Sequence, residues 1–379
     1  MLLLGPGAAG EEALQQILIQ RGEELGLSVG ELVVLKAETY SLRDSKAPLA
    51  TVYIAGPGQD EVSDAITAMI VRDGLPVLPL VSTLDDYKVQ VPWCLCGINT
   101  RPYSPTDEYR AQVASWVMEE LGLQRQHRQI FLSYRRKESI SIAQQIYHAL
   151  DERSFHVFLD THSIPSGRLF DPWIHNWIAE AEVLILLGTQ TVFDSRWVER
   201  EFTRASALGV GVLYLVWPEA PVPPAAELAM KHYLRVTDFD LAPTEPGAKL
   251  SDTAILEVIG KAETLRARSF AARQARIVGA LCRKIEARGL PFLRTWQRYV
   301  EITRPEGRGR RVYPVVGRPD TTLMEIVHRV CEPEGRDACL LYDDQGILPE
   351  IRQHLDWLNR FAPIQVFSMQ QADEWIVKP

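Results

Sequence analysis

Glu201 closes the stretch Ser195-Arg196-Trp197-Val198-Glu199-Arg200-Glu201, and its surroundings suggest chemistry rather than solvation. At helical spacing Trp197 and Glu201 share a face one turn apart. Arg196, Arg200 and Arg204 make a basic stripe, while Val198, Phe202, Ala205 and Gly209 make an apolar stripe that packs inward. Glu201 is therefore expected at the rim of a buried face beside an indole. A carboxylate held there acts through a low dielectric, which enlarges its pull on positive charge. Glu199 points away from Trp197 and is expected in solvent. His148, His156, His162 and His175 lack ligand spacing. The five cysteines, Cys94, Cys96, Cys282, Cys331 and Cys339, include no CxxC pair. No metal site and no disulfide framework are expected from these residues.

The elements that must position Glu201 run from Arg128 to about Pro218. The strand QIFLSY is followed by a helix ISIAQQIYHALDE, a strand HVFLD, a loop THSIPSG, a helix around DPWIHNWIAEA, a strand VLILLG, the helix beginning at Ser195 and a strand GVLYLVW. Strands alternating with helices at this spacing predict a parallel sheet covered on both faces. Active groups in such a sheet gather at the carboxyl ends of its strands. Upstream, to about residue 123, a further α/β pattern includes TVYIA, the turn Gly56-Pro57-Gly58, a helix DEVSDAITAMIVRDG and a strand LPVLPLV. The run ELVVLKA fits a strand or a helix end. A glycine-rich turn opening a helix can receive phosphate on backbone amides, but no GK[ST] ending accompanies it, so a tight turn is the expected reading.

Downstream, Pro218 to about Leu250 is rich in proline and reads as a linker with a short apolar insert, KHYLRV. From Arg266 to Arg311 basic residues exceed acidic ones by about ten, although the whole chain carries a net charge of -8. A solvated helix with a flexible loop explains that stretch, and an anionic partner is the sharper alternative. Its few aromatics, Trp296 and Tyr299, give no specific sign of single-stranded nucleic acid. A third α/β pattern follows in RVYPVV, TTLMEIVHRV, ACLLYD, ILPEIRQHLDWLNRF and IQVFSM. The expected domains are 1–123, 126–238, a linker at 239–265, and 266–379 as a basic helical region plus a small α/β domain. At 379 residues, two or three domains are the natural division. No apolar run approaches the roughly 20 residues that cross a bilayer, and the opening MLLLGPGAAG lacks the basic start of a signal peptide, so a cytoplasmic location without membrane contact is expected.

Three ordered blocks resemble a TIR (Toll/interleukin-1 receptor) domain. They are Phe131-Leu132-Ser133-Tyr134-Arg135-Arg136, Phe158-Leu159-Asp160 with Ser163-Ile164-Pro165-Ser166-Gly167, and Ser195-Arg196-Trp197 with Glu201. The resemblance implies a central flavodoxin-like fold flanked by two further α/β domains. TIR domains are either non-catalytic adaptors or enzymes that cleave the nicotinamide glycosidic bond of NAD+. The catalytic branch places a glutamate four residues after the tryptophan, as Glu201 stands here, while the cysteine that usually follows the tryptophan is Val198. The resemblance makes Glu201 the catalytic residue, and Tyr134, Arg135, Asp160, Ser166, Trp173 and Trp197 candidates for holding substrate. It makes Ser163, Ile164, Pro165 and Gly167 an assembly loop. NAD+ would be substrate, with no cofactor beside it.

The chemistry suits so spare a site. Nicotinamide departs as a neutral base, so no general acid is needed, and the ribose approaches an oxocarbenium ion that one carboxylate can stabilise. Resemblance to bacterial TIR proteins further implies self-association through TIR domains, activation by a ligand or protein, and a role in defence against phage. A non-catalytic scaffold is the main alternative. A nucleoside or nucleotide transferase is a minor one, because VYIAGP resembles the opening strand of nucleoside deoxyribosyltransferases.

Overall fold

The chain divides into two units, Met1–His127 and Arg128–Pro379. The computed structural model describes residues 1–28, 30–44, 47–85, 87–159, 170–245, 247–295, 299–303, 309–335 and 337–377. The calls at Asp160, Ser163, Ile164, Pro165, Ser166 and Gly167, like those at His162 and Trp296, lie outside the described residues.

The first unit contains β1 (Leu2–Leu4), α1 (Glu12–Glu24), β2 (Thr51–Ile54), α2 (Glu61–Arg72), β3 (Val77–Val81), α3 (Tyr87–Gln90), β4 (Arg101–Pro102) and α4 (Asp107–Glu120). Its strands are all parallel and lie side by side in chain order. β1, β2 and β3 are buried along their whole length, which is why they read as continuous apolar runs. ELVVLKA is neither strand nor helix end. Only Leu35 pairs with Leu2, because Lys36 N–H donates to Thr39 Oγ1 at 2.9 Å and turns the chain into a short 3-10 segment. The turn at Gly56 packs on the backbone of Gly7, whose nitrogen lies 2.8 Å from where a Cβ on Gly56 would stand. The amino end of α2 is filled by its own Asp60, which accepts from Ser63 N–H at 3.0 Å. An anion's place there is thus taken by a side chain.

The second unit begins with β5 (Arg128–Ser133), α5 (Arg136–Asp151), β6 (Phe155–Leu159), α6 (Phe170–Glu180), β7 (Val183–Gly188), α7 (Arg196–Leu208), β8 (Gly211–Val216) and β9 (Met230–Tyr233). Its sheet runs β6-β5-β7-β8-β9 with every pairing parallel. Counted from the first strand this is the flavodoxin-like order 2-1-3-4-5, with its topological switch at β5 and β7. Phe131, Phe158, Leu184, Leu186 and Tyr214 face α6 and α7, whereas Ile130, Leu132, Ile185 and Leu213 face the opposite core. Strand alternation thus sends Phe131 and Ser133 to the side that carries Glu201.

KHYLRV is no mere insert in a linker. It supplies β9, the edge strand of this sheet. The expected linker 239–265 is also structured, for α8 (Asp252–Glu286) runs through 35 residues, about 50 Å. Its first half places Ala254, Ile255, Val258, Ile259 and Ala262 in the core under the sheet. Before it, Trp217 Nε1 donates to Pro243 O at 3.3 Å, and Gln145 exchanges two hydrogen bonds with the backbone of Leu250 at 2.7 and 2.8 Å. The proline content that suggested a free tether instead shapes a segment packed on the sheet edge.

After α8 come β10 (Phe292–Arg294), β11 (Val300–Ile302), β12 (Arg310–Val315), α9 (Thr321–Cys331), β13 (Asp337–Tyr342), α10 (Pro349–Leu358), β14 (Gln365–Ser368) and α11 (Ala372–Val377). β10 and β11 pair antiparallel, and β12, β13 and β14 parallel, in one mixed sheet. The helical reading of the basic stretch therefore ends at Glu286.

Many of its cations are used inside the chain. Arg266 Nε lies 2.6 Å from Glu182 Oε2, and Arg273 donates to Ala179 O at 2.7 Å and Ala181 O at 2.9 Å. Arg276 pairs with Asp343 at 2.9 Å, and Lys284 and Arg288 both meet Asp373.

Candidate active site

Glu201 sits in the second turn of α7. That helix starts at Ser195, whose Oγ accepts from Val198 N–H at 3.5 Å, and ends at the left-handed Gly209. Val198, Phe202, Ala205 and Leu208 are buried against the sheet, so the apolar stripe anchors the helix and sets the rotation of Glu201. Glu201 is 8% exposed, more buried than a rim position implied.

Ser133 explains how a carboxylate is accommodated there. It is the last residue of β5, and its Oγ donates to Glu201 Oε2 at 2.6 Å. That length matches a hydroxyl bonded to an ionised carboxylate. The pair stands at the carboxyl end of β5, beside the switch point where sheets of this order bind ligands.

The cleft beside Glu201 is walled by α6 and α7, through Asp171, Ile174, His175, Ile178, Trp197 and Arg200. Residues 171, 174, 175 and 178 share one face of α6 at helical spacing. The free volume is about 20 Å³, enough for roughly one water. Trp197 forms part of the wall but is 41% exposed, so its indole is a rim rather than a buried surface. Partial burial and Arg204, with Arg200, outweigh Asp171 and lower the His175 pKa below the ordinary imidazole value.

Arg135 takes a structural position. Its guanidinium contacts Glu138 at 2.7 Å, Thr191 O at 3.1 Å and the Thr191 hydroxyl, and lies 3.8 Å from Asp194. It braces the end of β5 to the turn that feeds α7. Burial pushes the Glu138 carboxyl up, but bonds to Thr189 and Thr191 together with Arg135 outweigh it, and the pKa falls below the ordinary value.

Tyr134 and Trp173 depart from the expected constellation. Tyr134 packs against the core on the α5 side of the sheet, because it continues the alternation of Ile130 and Leu132. Trp173 is two residues from Asp171 on α6 and lines a different cavity. Ser133, Asp171 and His175 were not singled out from sequence. The alternation Phe131-Ser133 and the spacing of 171, 174, 175 and 178 were the available signals. Among the described residues no group of three or more His, Cys, Asp or Glu could hold a metal, and no helix is long and apolar enough to cross a membrane.

None of the curated proteins matches the chain. Among solved structures, the TIR domains of the activated Roq1 resistosome directly recognizing the pathogen effector XopQ align at 16% identity and a TM-score of 0.24, over 40% of this chain and 84% of that one. A protein assigned to the phosphosugar isomerases, from Silicibacter pomeroyi DSS-3, aligns at 12% identity and a TM-score of 0.19, over 72% of this chain and 86% of that one. The family model described as TIR domain matches residues 130–248, which span the parallel sheet, the Ser133–Glu201 pair and the segment leading to α8. Residues 130–248 of this chain are a TIR domain.

Proposed function

We propose that this TIR domain is an NAD+ glycohydrolase with Glu201 as its catalytic carboxylate. The observation that carries the reading is a buried carboxylate, held by Ser133 Oγ at 2.6 Å, at the carboxyl end of β5 beside the topological switch point. The bond between ribose C1′ and the pyridinium nitrogen breaks with its electron pair going to nitrogen, so nicotinamide leaves neutral. Glu201 stabilises the oxocarbenium ion left behind. Water then adds at C1′ and loses a proton, giving ADP-ribose; attack by the adenine ring instead gives a cyclic product. NAD+ is the substrate, and no further cofactor takes part. Trp197 borders the entry.

A cleft of about 20 Å³ is too small for a nicotinamide ring, and this observation favours two accompanying readings. In the first, the site opens on activation, through self-association of TIR domains and a ligand or protein trigger, in a cytoplasmic defence role. In the second, the domain is a scaffold with a silent pocket. Nicotinamide release from NAD+ by the full chain separates them, measured over a concentration series beside Glu201→Gln and Glu201→Ala. Release that rises in specific activity with concentration and vanishes in both variants supports the enzyme. An inert wild type under forced oligomerisation, or variants equal to it, supports the scaffold.

A further inference from the structure

Helix α6 has two working faces. Asp171, Ile174, His175 and Ile178 face the Glu201 cleft, while Trp173, Asn176, Trp177 and Glu180, at the same spacing, face a second cavity of about 370 Å³. The far wall of that cavity comes from the C-terminal mixed-sheet region, through Arg318, Leu348, Glu350 and Ile351. Its volume falls within the range of small-molecule sites, roughly 300–1,000 Å³, and at the low end of it. A mononucleotide suits such a space and a dinucleotide such as NAD+ does not.

The lining is specific in its chemistry. Two indoles on one helix face offer stacking surface, with the aliphatic side chains of Leu348 and Ile351 across from them. The remaining polar groups are mostly acceptors. Glu180 is 6% exposed, Glu350 stands at the mouth, and Gln129 Oε1 is buried with no hydrogen-bond partner among the described residues. Among the described lining residues the cation is Arg318, exposed at the opposite wall. A planar ligand with adjacent N–H donors and one anionic group satisfies this set.

Among nucleobases guanine carries such donors, at N1 and N2, and a carboxylate accepts both at once. Adenine places an acceptor beside its amino group, and a carboxylate there meets a lone pair.

The geometry points to a guanine mononucleotide site between α6 and the C-terminal region, with the base against the indoles, a carboxylate on N1–H and N2–H, and the phosphate on Arg318. Occupancy acts on α6 as a body. The helix is fastened to the same region by Asn176 Oδ1, which accepts from Leu348 N–H at 3.4 Å. It is fastened again by Gly346, where a Cβ would stand 2.6 Å from Ala179 Cβ, while α8 holds its end through Arg273, which donates to Ala179 O. A ligand that resets this face moves Asp171, Ile174 and His175 with it. The bound nucleotide thus sets the width of the Glu201 cleft, a consequence that rests on the function proposed above.

The test uses the full chain with Glu201→Gln for binding and the wild type for activity, so the two readings fail separately. By calorimetry the probe GMP is expected to bind one-to-one, with AMP at least about tenfold weaker. Trp173→Ala is expected to weaken GMP by about tenfold or more, the scale of one base on one ring. Glu350→Gln, an exposed change that leaves folding intact, weakens GMP and guanosine alike, whereas Arg318→Ala weakens GMP and spares guanosine. No saturable GMP binding at millimolar concentration, AMP equal to GMP, or binding indifferent to both Trp173→Ala and Glu350→Gln overturns the site. Binding that leaves an existing nicotinamide release unchanged overturns the coupling. Binding without any release, in any condition, keeps the site and removes the glycohydrolase reading instead.

Discussion

Replacing Arg266 by Met tests whether the basic stretch is a ligand surface or part of the interior. Arg266 is 0% exposed, with Nε 2.6 Å from Glu182 Oε2 and Nη1 3.5 Å from Glu263 Oε2. Glu263 in turn lies 3.4 Å from Arg128 Nη1. Removing the guanidinium takes the Arg266 partner from two buried carboxylates, at 1% and 3% exposure. Breaking a buried pair from one side costs about 3–5 kcal/mol. For a unit of this size each kcal/mol moves Tm by roughly 2–4 °C, so a fall of about 6–20 °C is expected. Thermal unfolding at pH 7 measures it, with the exposed neighbour Arg268→Met expected within about 0.5 kcal/mol of wild type. Adding Glu182→Leu to Arg266→Met recovers part of the loss, since a buried charge that has lost its Arg266 partner leaves with it. An Arg266→Met chain no less stable than Arg268→Met refutes the argument and returns Arg266 to the pool of cations for an external anion.

Ser133→Ala removes a hydrogen bond to a charged group, worth about 1.5–3 kcal/mol, and should lower nicotinamide turnover about 10- to 150-fold with KM little changed. Ser133→Thr restores most of it if the hydroxyl positions Glu201, and equal rates in wild type and Ser133→Ala remove that role. Because the Glu138 pKa is lowered on folding, its contribution is complete above the ordinary carboxylate pKa and disappears as pH falls through the folded value. The Tm gap between wild type and Glu138→Gln should therefore be full near neutrality and close in acid, and a gap constant with pH contradicts the brace. On α7, Phe202→Ala should cost about 3–5 kcal/mol and Trp197→Ala under about 1 kcal/mol in urea unfolding, because Phe202 is 5% exposed and Trp197 41%. Equal costs would mean that the helix is rotated from the orientation described.

Much of the TIR fold was legible because three of its strands are short apolar runs bounded by turns. QIFLSY, VLILLG and GVLYLVW lie in β5, β7 and β8, and the alternating helices supplied the parallel topology. KHYLRV was missed as a strand since it is short, carries two cations and follows prolines. Its place comes from pairing with β8, a partner distant in sequence. The same limit applies to β10 and β11, three residues each, which are recognisable only in the mixed sheet. α8 was divided between a linker and a basic region because charge changes along it. Its apolar face, however, continues from Ala254 to Ile285.

By itself the sequence determined which residue carries the candidate chemistry. The spacing of Glu201 from Val198, Phe202 and Ala205 places it beside the buried stripe of any helix these residues form, and periodicity is a local property. Tertiary structure decided what surrounds it. Ser133 is a long way off along the chain and reaches Glu201 only because α7 packs over β7, the strand paired with β5. Tyr134 and Trp173 are neighbours in sequence of cleft residues yet point elsewhere, since one residue along a strand, or two along a helix, reverses the face presented. The fate of the cations was decided in the same way: Arg266 and Arg273 resemble surface charges in one dimension, and burial against Glu182 and the carbonyls of Ala179 and Ala181 exists only after the sheet and α8 have packed together.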